Sequence, residues 1–163
     1  MTRRATLTRI ITALLAVFLS ADFVFAQTKQ QVSLRIPFAN LKFDVSQSVE
    51  VGDVPNHIVR VFDLHYTVPG TSAPLIDGIK LKEIWQRGTA NITDGVGTTS
   101  SYFLYLMENG DKFFVRNEAI IQRTPTGKFA SAGIGHIFGG TGNLASIQGT
   151  TRPSSSFLCC DLV

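Results

Sequence analysis

One short run of this sequence places charged side chains beside an indole at a spacing that could form a polar site. Glu83, Trp85 and Arg87 occupy alternate positions, so on a β-strand their side chains point to the same side. A carboxylate and a guanidinium in an apolar pocket could form a paired polar spot, and burial there would shift the pKa of the carboxylate. On an outer surface the same two groups would form an exposed ion pair that contributes little to stability. Both alternatives stay open.

A second run repeats this arrangement, because Arg116 and Glu118 alternate with apolar residues on the next predicted hairpin. His65 lies inside an apolar run and is typical of a hydrogen-bonded wall residue more than of a catalyst. Apolar walls bind a small ligand, and a few polar groups orient it. The candidate ligand-binding residues of a cavity are therefore Glu83, Trp85, Arg87, His65, Arg116 and Glu118, and no catalytic residue is assigned.

The sequence offers little support for a metal site or a nucleotide-binding site. His57 and His65 share a strand face, but eight residues of strand separate them by about 26 Å. Cys159 and Cys160 are adjacent and add no metal-ligand spacing. The glycine-rich stretch FGGTGNLASIQG, residues 138–149, lacks the lysine of a phosphate-binding loop and the glycine spacing of a dinucleotide fingerprint. We expect no metal and no cofactor.

The elements that position these residues are predicted to be β-strands. Apolar residues alternate or form short runs between glycine, proline and Asn/Asp clusters, which is the strand pattern. Asn109-Gly110 and the segment 124–127 are typical of tight turns, so the strands that flank them should be antiparallel neighbours. The predicted strands are 32–36, 58–67, 79–92, 101–108, 112–123, 128–138 and 144–150.

These strands predict an all-β fold, a small antiparallel β-barrel of about eight strands that could be incomplete at its C-terminus. A meander of this size removes its open edges by closing. The glycines of the last two strands would let those strands bend as closure requires. Several strands are apolar on both alternations, which indicates either a subunit contact or an apolar cavity.

The N-terminus has the pattern of a secretory signal peptide. Arg3 and Arg4 precede an apolar run over residues 10–19, and Val24 and Ala26 suit a cleavage site. The run is about half the roughly 20 residues that a membrane-spanning helix needs. We expect a signal-peptide helix at 1–26, the barrel domain at 27–152, an irregular tail at 153–163, and export to the periplasm or beyond with no membrane span after cleavage.

Charge and cysteine content exclude two classes of protein. The net charge of +3 comes mostly from the arginines of the signal segment, and no lysine or arginine run follows it, so a nucleic-acid partner is not expected. The only two cysteines, Cys159 and Cys160, are neighbours and cannot close a loop as a disulfide framework does. Stability must therefore come from the apolar core.

Two segments also carry a family resemblance. GKFASAGIGHIFGGTGNLASIQGT, residues 127–150, resembles the strand, G-G-T-G turn and following strand of the allene oxide cyclase and dirigent protein superfamily. YFLYLMENGDKFFVRNEAI, residues 102–120, is similar to the preceding hairpin in bacterial members. The resemblance implies an eight-stranded antiparallel barrel, often oligomeric, whose apolar cavity holds a small hydrophobic molecule. No catalytic position of the family can be matched to this sequence.

The sequence therefore favours an exported barrel that binds a small hydrophobic molecule without catalysis. One alternative is an isomerase or cyclase of the allene oxide cyclase type, in which the barrel would orient a lipid or phenolic substrate for ring closure. Another alternative is a structural barrel whose apolar faces serve assembly into a homo-oligomer.

Overall fold

The computed structural model describes residues 30–157 of the chain. The predicted signal peptide, residues 1–26, and both cysteines lie outside the described residues. Within the described range, no helix is long and apolar enough to cross a membrane.

Antiparallel β-structure makes up most of the described chain, as the sequence predicts. Its strands are β1 Leu41–Glu50, β2 His57–Thr67, β3 Leu75–Ile76, β4 Ile79–Thr93, β5 Val96–Met107, β6 Lys112–Arg123, β7 Phe129–Gly140, β8 Thr150–Thr151 and β9 Ser154–Phe157. In the main sheet they are arranged in the order β1-β2-β4-β5-β6-β7-β8, with β3 beside β4 and β9 beside β7.

The sheet is not closed into the predicted barrel. Among the described strands, β1 pairs with β2 alone, and the far side of β7 is covered by the two short strands β8 and β9. Alternation and tight turns determine which strands are neighbours. Closure depends in addition on strand number, tilt and stagger, which those local patterns do not determine.

Four of the predicted strands agree closely with β2, β4, β6 and β7, and β5 begins five residues before its predicted start. The predicted strands at 32–36 and 144–150 are wrong. Leu34 and Ile36 instead pack their side chains against the core, and a 3₁₀ segment at Gly142–Leu144 is followed by a turn at Ala145 and Ser146. The strands β1, β3 and β9 are not among the predicted ones, and β9 lies in the segment expected to be an irregular tail.

One face of the sheet, called here the inner face, carries two clusters of buried apolar side chains. The first cluster consists of Val68, Leu81, Ile84, Phe103, Met107, Phe113, Val115 and Leu144. The second cluster consists of Phe62, Ala90, Ile92, Ile121 and Phe129. The opposite face is called the outer face.

The sheet curves around its inner face. Phe62 of β2 and Phe129 of β7 belong to the same cluster, although β4, β5 and β6 separate their strands. The Phe129 ring lies 2.5 Å from the point where a Cβ on Gly95 would be, and Gly95 has a φ of +79°. Register shifts in three strand pairs also bend the strands locally.

Candidate functional site

Four of the six predicted site residues lie together on the outer face. His65 of β2 and Trp85 of β4 are direct cross-strand neighbours, and their rings stack with centroids 4.0 Å apart. His65 Nε2 is 3.2 Å from Glu83 Oε2, and the guanidinium carbon of Arg87 is 5.0 Å from the Trp85 ring centroid. These four residues therefore form one group of interacting side chains.

The ion pairs within this group differ from the expected one. Glu83 and Arg87 do not pair with each other: Arg87 Nε donates to Asp63 Oδ2 at 2.8 Å, while Glu83 Oε1 lies 3.2 Å from Lys82 Nζ. Burial alone would raise the pKa of Glu83, but Lys82 and then His65 hold it below its ordinary value. A carboxylate kept ionised in this way suits an ion pair better than a proton donor.

Arg116 and Glu118 lie apart from this group, on β6. Both side chains are exposed, and Arg116 Nε is 3.7 Å from Glu118 Oε1. Ser100 Oγ also donates to Glu118 Oε1 at 2.8 Å. All six predicted residues are on the outer face, opposite both core clusters, and their role in a ligand-binding cavity stays a prediction.

A second set of polar side chains crosses the inner face between the two apolar clusters. We call it the polar row, and it consists of Tyr66, Gln86, Ser101, Asn117 and Thr151. The Tyr66 hydroxyl donates to Gln86 Oε1 at 2.7 Å, and Gln86 Nε2 donates to Ser101 Oγ at 3.2 Å. Ser101 and Asn117 are cross-strand neighbours with 0% and 2% exposure.

Glycines of β7 leave bare backbone beside the far end of the polar row. A Cβ on Gly133 would lie 3.1 Å from Asn117 Oδ1, and a Cβ on Gly135 would lie 2.4 Å from Thr151 Oγ1. Any side chain at Gly135 would clash with the Thr151 hydroxyl and with Val115. The two glycines thus let the Asn117 and Thr151 side chains pack closely against the backbone of β7.

Asn117 Oδ1 and Thr151 Oγ1 are both buried and have no hydrogen-bond partner among the described residues. An unpaired buried polar atom costs about 1–3 kcal/mol, and most such atoms in native proteins are paired. Both atoms border the same glycine strand. A water molecule or a polar ligand group would satisfy them, so this end of the row is the better candidate for a binding site.

No member of the polar row carries a charged side chain. Burial, with a smaller effect of Tyr105, raises the pKa of Tyr66 well above its ordinary value, so its hydroxyl stays protonated and donates to Gln86. Burial also raises the pKa of Tyr105 to about 12. Such a site suits a neutral group, and an amide oxygen, which only accepts hydrogen bonds, requires a donor on the ligand.

Cofactor-binding features are sparse in the described part of the chain. No group of three or more His, Cys, Asp or Glu residues within 30–157 could hold a metal ion. An open groove of ≈ 410 Å³ lies at the β7 edge, between residues 136–139 and the loop at 145–149. This groove is open to solvent.

Sequence reasoning missed the polar row because it followed charged residues. The signal was present: Asn117 shares its alternation with Phe113, Val115 and Ile121, which are all buried. An uncharged polar residue on an apolar face is therefore the feature that could have identified this site.

Comparison of the chain with protein families, curated proteins and solved structures finds no match.

Proposed function

We propose that this protein binds a small, largely apolar and uncharged molecule on the inner face of its curved sheet. The polar end of the ligand donates a hydrogen bond to Asn117 Oδ1 and contacts the Thr151 hydroxyl. The observation that carries this proposal is the pair of buried, unpartnered oxygen atoms beside the glycines of β7. Apolar side chains of the two clusters flank them on either side and would contact the rest of the ligand.

Three further considerations support the binding proposal. Ligand sites combine apolar walls with a few polar groups that fix orientation, and the inner face has this composition. General acid-base chemistry needs a group whose pKa lies near the working pH, whereas the tyrosine of the row titrates far above neutrality. The resemblance of residues 127–150 to allene oxide cyclase and dirigent proteins implies the same kind of apolar ligand.

The proposed ligand also suits the proposed location. The signal-peptide pattern of residues 1–26 indicates export, and a carrier outside the cytoplasm would keep a poorly soluble molecule in solution. We therefore assign the binding function to the periplasm or the extracellular space.

A fluorescence titration tests the proposal directly. N-phenyl-1-naphthylamine is a neutral apolar dye with a single N–H donor, and its emission should rise on binding to the exported protein. Asn117→Leu should weaken dye binding about tenfold, which corresponds to the loss of one buried hydrogen bond. Asn143→Leu makes the same change at an exposed residue and should leave binding unchanged.

The anionic dye 1-anilinonaphthalene-8-sulfonate is the matched comparison. It should bind more weakly than the neutral dye, because the polar row offers no cation to its sulfonate. The proposal fails if the anionic dye binds more tightly, or if Asn117→Leu binds the neutral dye as well as the unsubstituted protein does.

A further inference from the structure

The outer face of β5, β6 and β7 carries a second apolar surface that the proposed ligand site does not use. Tyr102 and Phe138 are 55% and 60% exposed, and their rings meet edge to face with centroids 6.0 Å apart. Ile120 and Ile134 are also exposed, and Phe114 lies beside Phe138. We call these five residues the outer patch. Contiguous apolar patches on a protein surface commonly mark interaction sites.

The centre of the outer patch holds one positive and one negative side chain. Arg116 and Glu118 are exposed neighbours on the outer side of β6, with Phe114 before them and Ile120 after them. The order along this strand face is therefore apolar, positive, negative, apolar. Read in the opposite direction, the order is apolar, negative, positive, apolar, so a second copy running antiparallel places opposite charges against each other.

This symmetry determines how two copies can stack. A two-fold axis can lie between the two stacked sheets, perpendicular to the strands and at the level of residue 117. Rotation about this axis reverses the strand direction of the second copy. Arg116 of one copy then faces Glu118 of the other, and the symmetric contact forms as well. Phe114 faces Ile120 in the same reciprocal way.

The neighbouring strands are compatible with this arrangement. Register pairing places Tyr102 and His136 beside Arg116, and Ser100 and Ile134 beside Glu118. In the two-fold stack, Tyr102 would therefore face Ser100 of the second copy, and His136 would face Ile134. A two-fold axis parallel to the strands would instead place each charged side chain against the same side chain of the other copy, and such like-charge contacts are unfavourable.

We propose that the occupant of the outer patch is a second copy of this chain, stacked sheet on sheet about that two-fold axis. The apolar residues supply the buried area, while the reciprocal contacts between Arg116 and Glu118 select the orientation. This assembly uses the face opposite the polar row, so it leaves the proposed ligand site accessible in both copies.

Charge reversal tests the orientation. Sedimentation velocity of the exported protein over a concentration series should show a monomer–dimer equilibrium. Arg116→Glu or Glu118→Lys alone should raise the dimer dissociation constant at least about tenfold, because both symmetric contacts become like-charge contacts. The double variant Arg116→Glu with Glu118→Lys restores opposite charges and should return the constant to within about threefold of the original.

Lys128→Glu changes an exposed charge in the turn between β6 and β7 and serves as the control, with no expected effect on the dimer. Thermal unfolding of each variant establishes that these exposed substitutions leave the fold intact. A protein that stays monomeric at every concentration overturns the proposal, as does a double variant no better than the single ones. Monomeric binding to neutral phosphatidylcholine vesicles through the outer patch would also overturn it.

Discussion

Asn117 Oδ1 lies 3.1 Å from the point that a Cβ on Gly133 would occupy, and no described residue donates a hydrogen bond to it. The absence of a side chain at position 133 and the presence of an amide at 117 thus act together. The glycine lets the amide pack against the backbone of β7, and the buried amide oxygen still requires a donor. This relationship on the inner face is the basis of the ligand-binding proposal.

Substitution of the two amide side chains of the polar row should change the stability of the protein in opposite directions. Asn117→Leu removes an unpaired oxygen and should raise the free energy of unfolding by about 1 kcal/mol in the absence of ligand. Gln86→Leu leaves the Tyr66 hydroxyl and Ser101 without their partner and should lower it by about 1–3 kcal/mol. Urea unfolding measures both values. A loss of stability in Asn117→Leu as large as that in Gln86→Leu would contradict this account.

His57 should make stability depend on pH near neutrality. Its ring nitrogens contact Asn91 Oδ1 at 2.8 Å and Asp53 Oδ1 at 2.6 Å, and these hydrogen bonds, that to Asn91 first, raise its pKa. The hydrogen bond to His57 in turn lowers the pKa of Asp53. Because the raised pKa favours the protonated ring in the fold, this stabilisation is complete below about pH 6.5 and is lost as the pH rises through the folded pKa.

The stabilising effect of Asp53 has a limit at low pH, because its contribution to the free energy of unfolding is lost as the pH falls below about 4. Urea midpoints measured between pH 4 and 9 should therefore decline on the alkaline side of pH 6.5. His57→Gln should flatten that decline, while His136→Gln, at an exposed position of β7, should retain it. An unchanged profile in His57→Gln would exclude this pair as its source.

The two partly buried tyrosines should make the protein lose stability in alkali. Burial raises the pKa of Tyr105 to about 12, and that of Tyr66 is raised further. An unfolded chain ionises its tyrosines near pH 10, so their contribution is complete below that pH and is lost between about pH 10 and 12. Absorbance at 295 nm and circular dichroism should therefore change together. Tyr105→Phe should shift the midpoint upward, and ionisation of both tyrosines without unfolding would contradict the burial argument.

The first apolar cluster should dominate stability. Met107 is 1% exposed within it, so Met107→Ala should lower the free energy of unfolding by about 2–5 kcal/mol through lost burial and a residual cavity. Val49 is 71% exposed on β1, and Val49→Ala should change it by less than about 0.5 kcal/mol. Equal effects at the two positions would mean that the assignment of the core face is incorrect.

The hairpins show which parts of the fold the sequence determines. Asn109-Gly110 was identified as a turn, and Gly110 there has a φ of +89°. Asp94-Gly95 is not among the predicted turns, yet both of its residues have positive φ, and it joins β4, the longest strand, to β5. This Asp-Gly pair is a standard hairpin signal, so that miss was avoidable. Closure of the sheet depends on long-range geometry and was not predictable from such signals.

The candidate site, like the fold, is only partly predictable from the sequence. Cross-strand stacking of Trp85 on His65 depends on the β2–β4 register, which no local pattern determines, although the residues themselves were singled out. The membership of Asn117 in the core face follows from alternation alone. Its unpaired state does not, because it depends on which groups of the distant strand β7 lie beside it in the fold.

Native mass spectrometry of the exported protein, purified without added ligand, is the decisive test of ligand binding at Asn117. A neutral molecule of low mass should co-purify with the unsubstituted protein and with Asn143→Leu and should be lost from Asn117→Leu. Detection of the same molecule at the same occupancy in Asn117→Leu, or of a ligand-free protein that also fails to take up N-phenyl-1-naphthylamine, would contradict it.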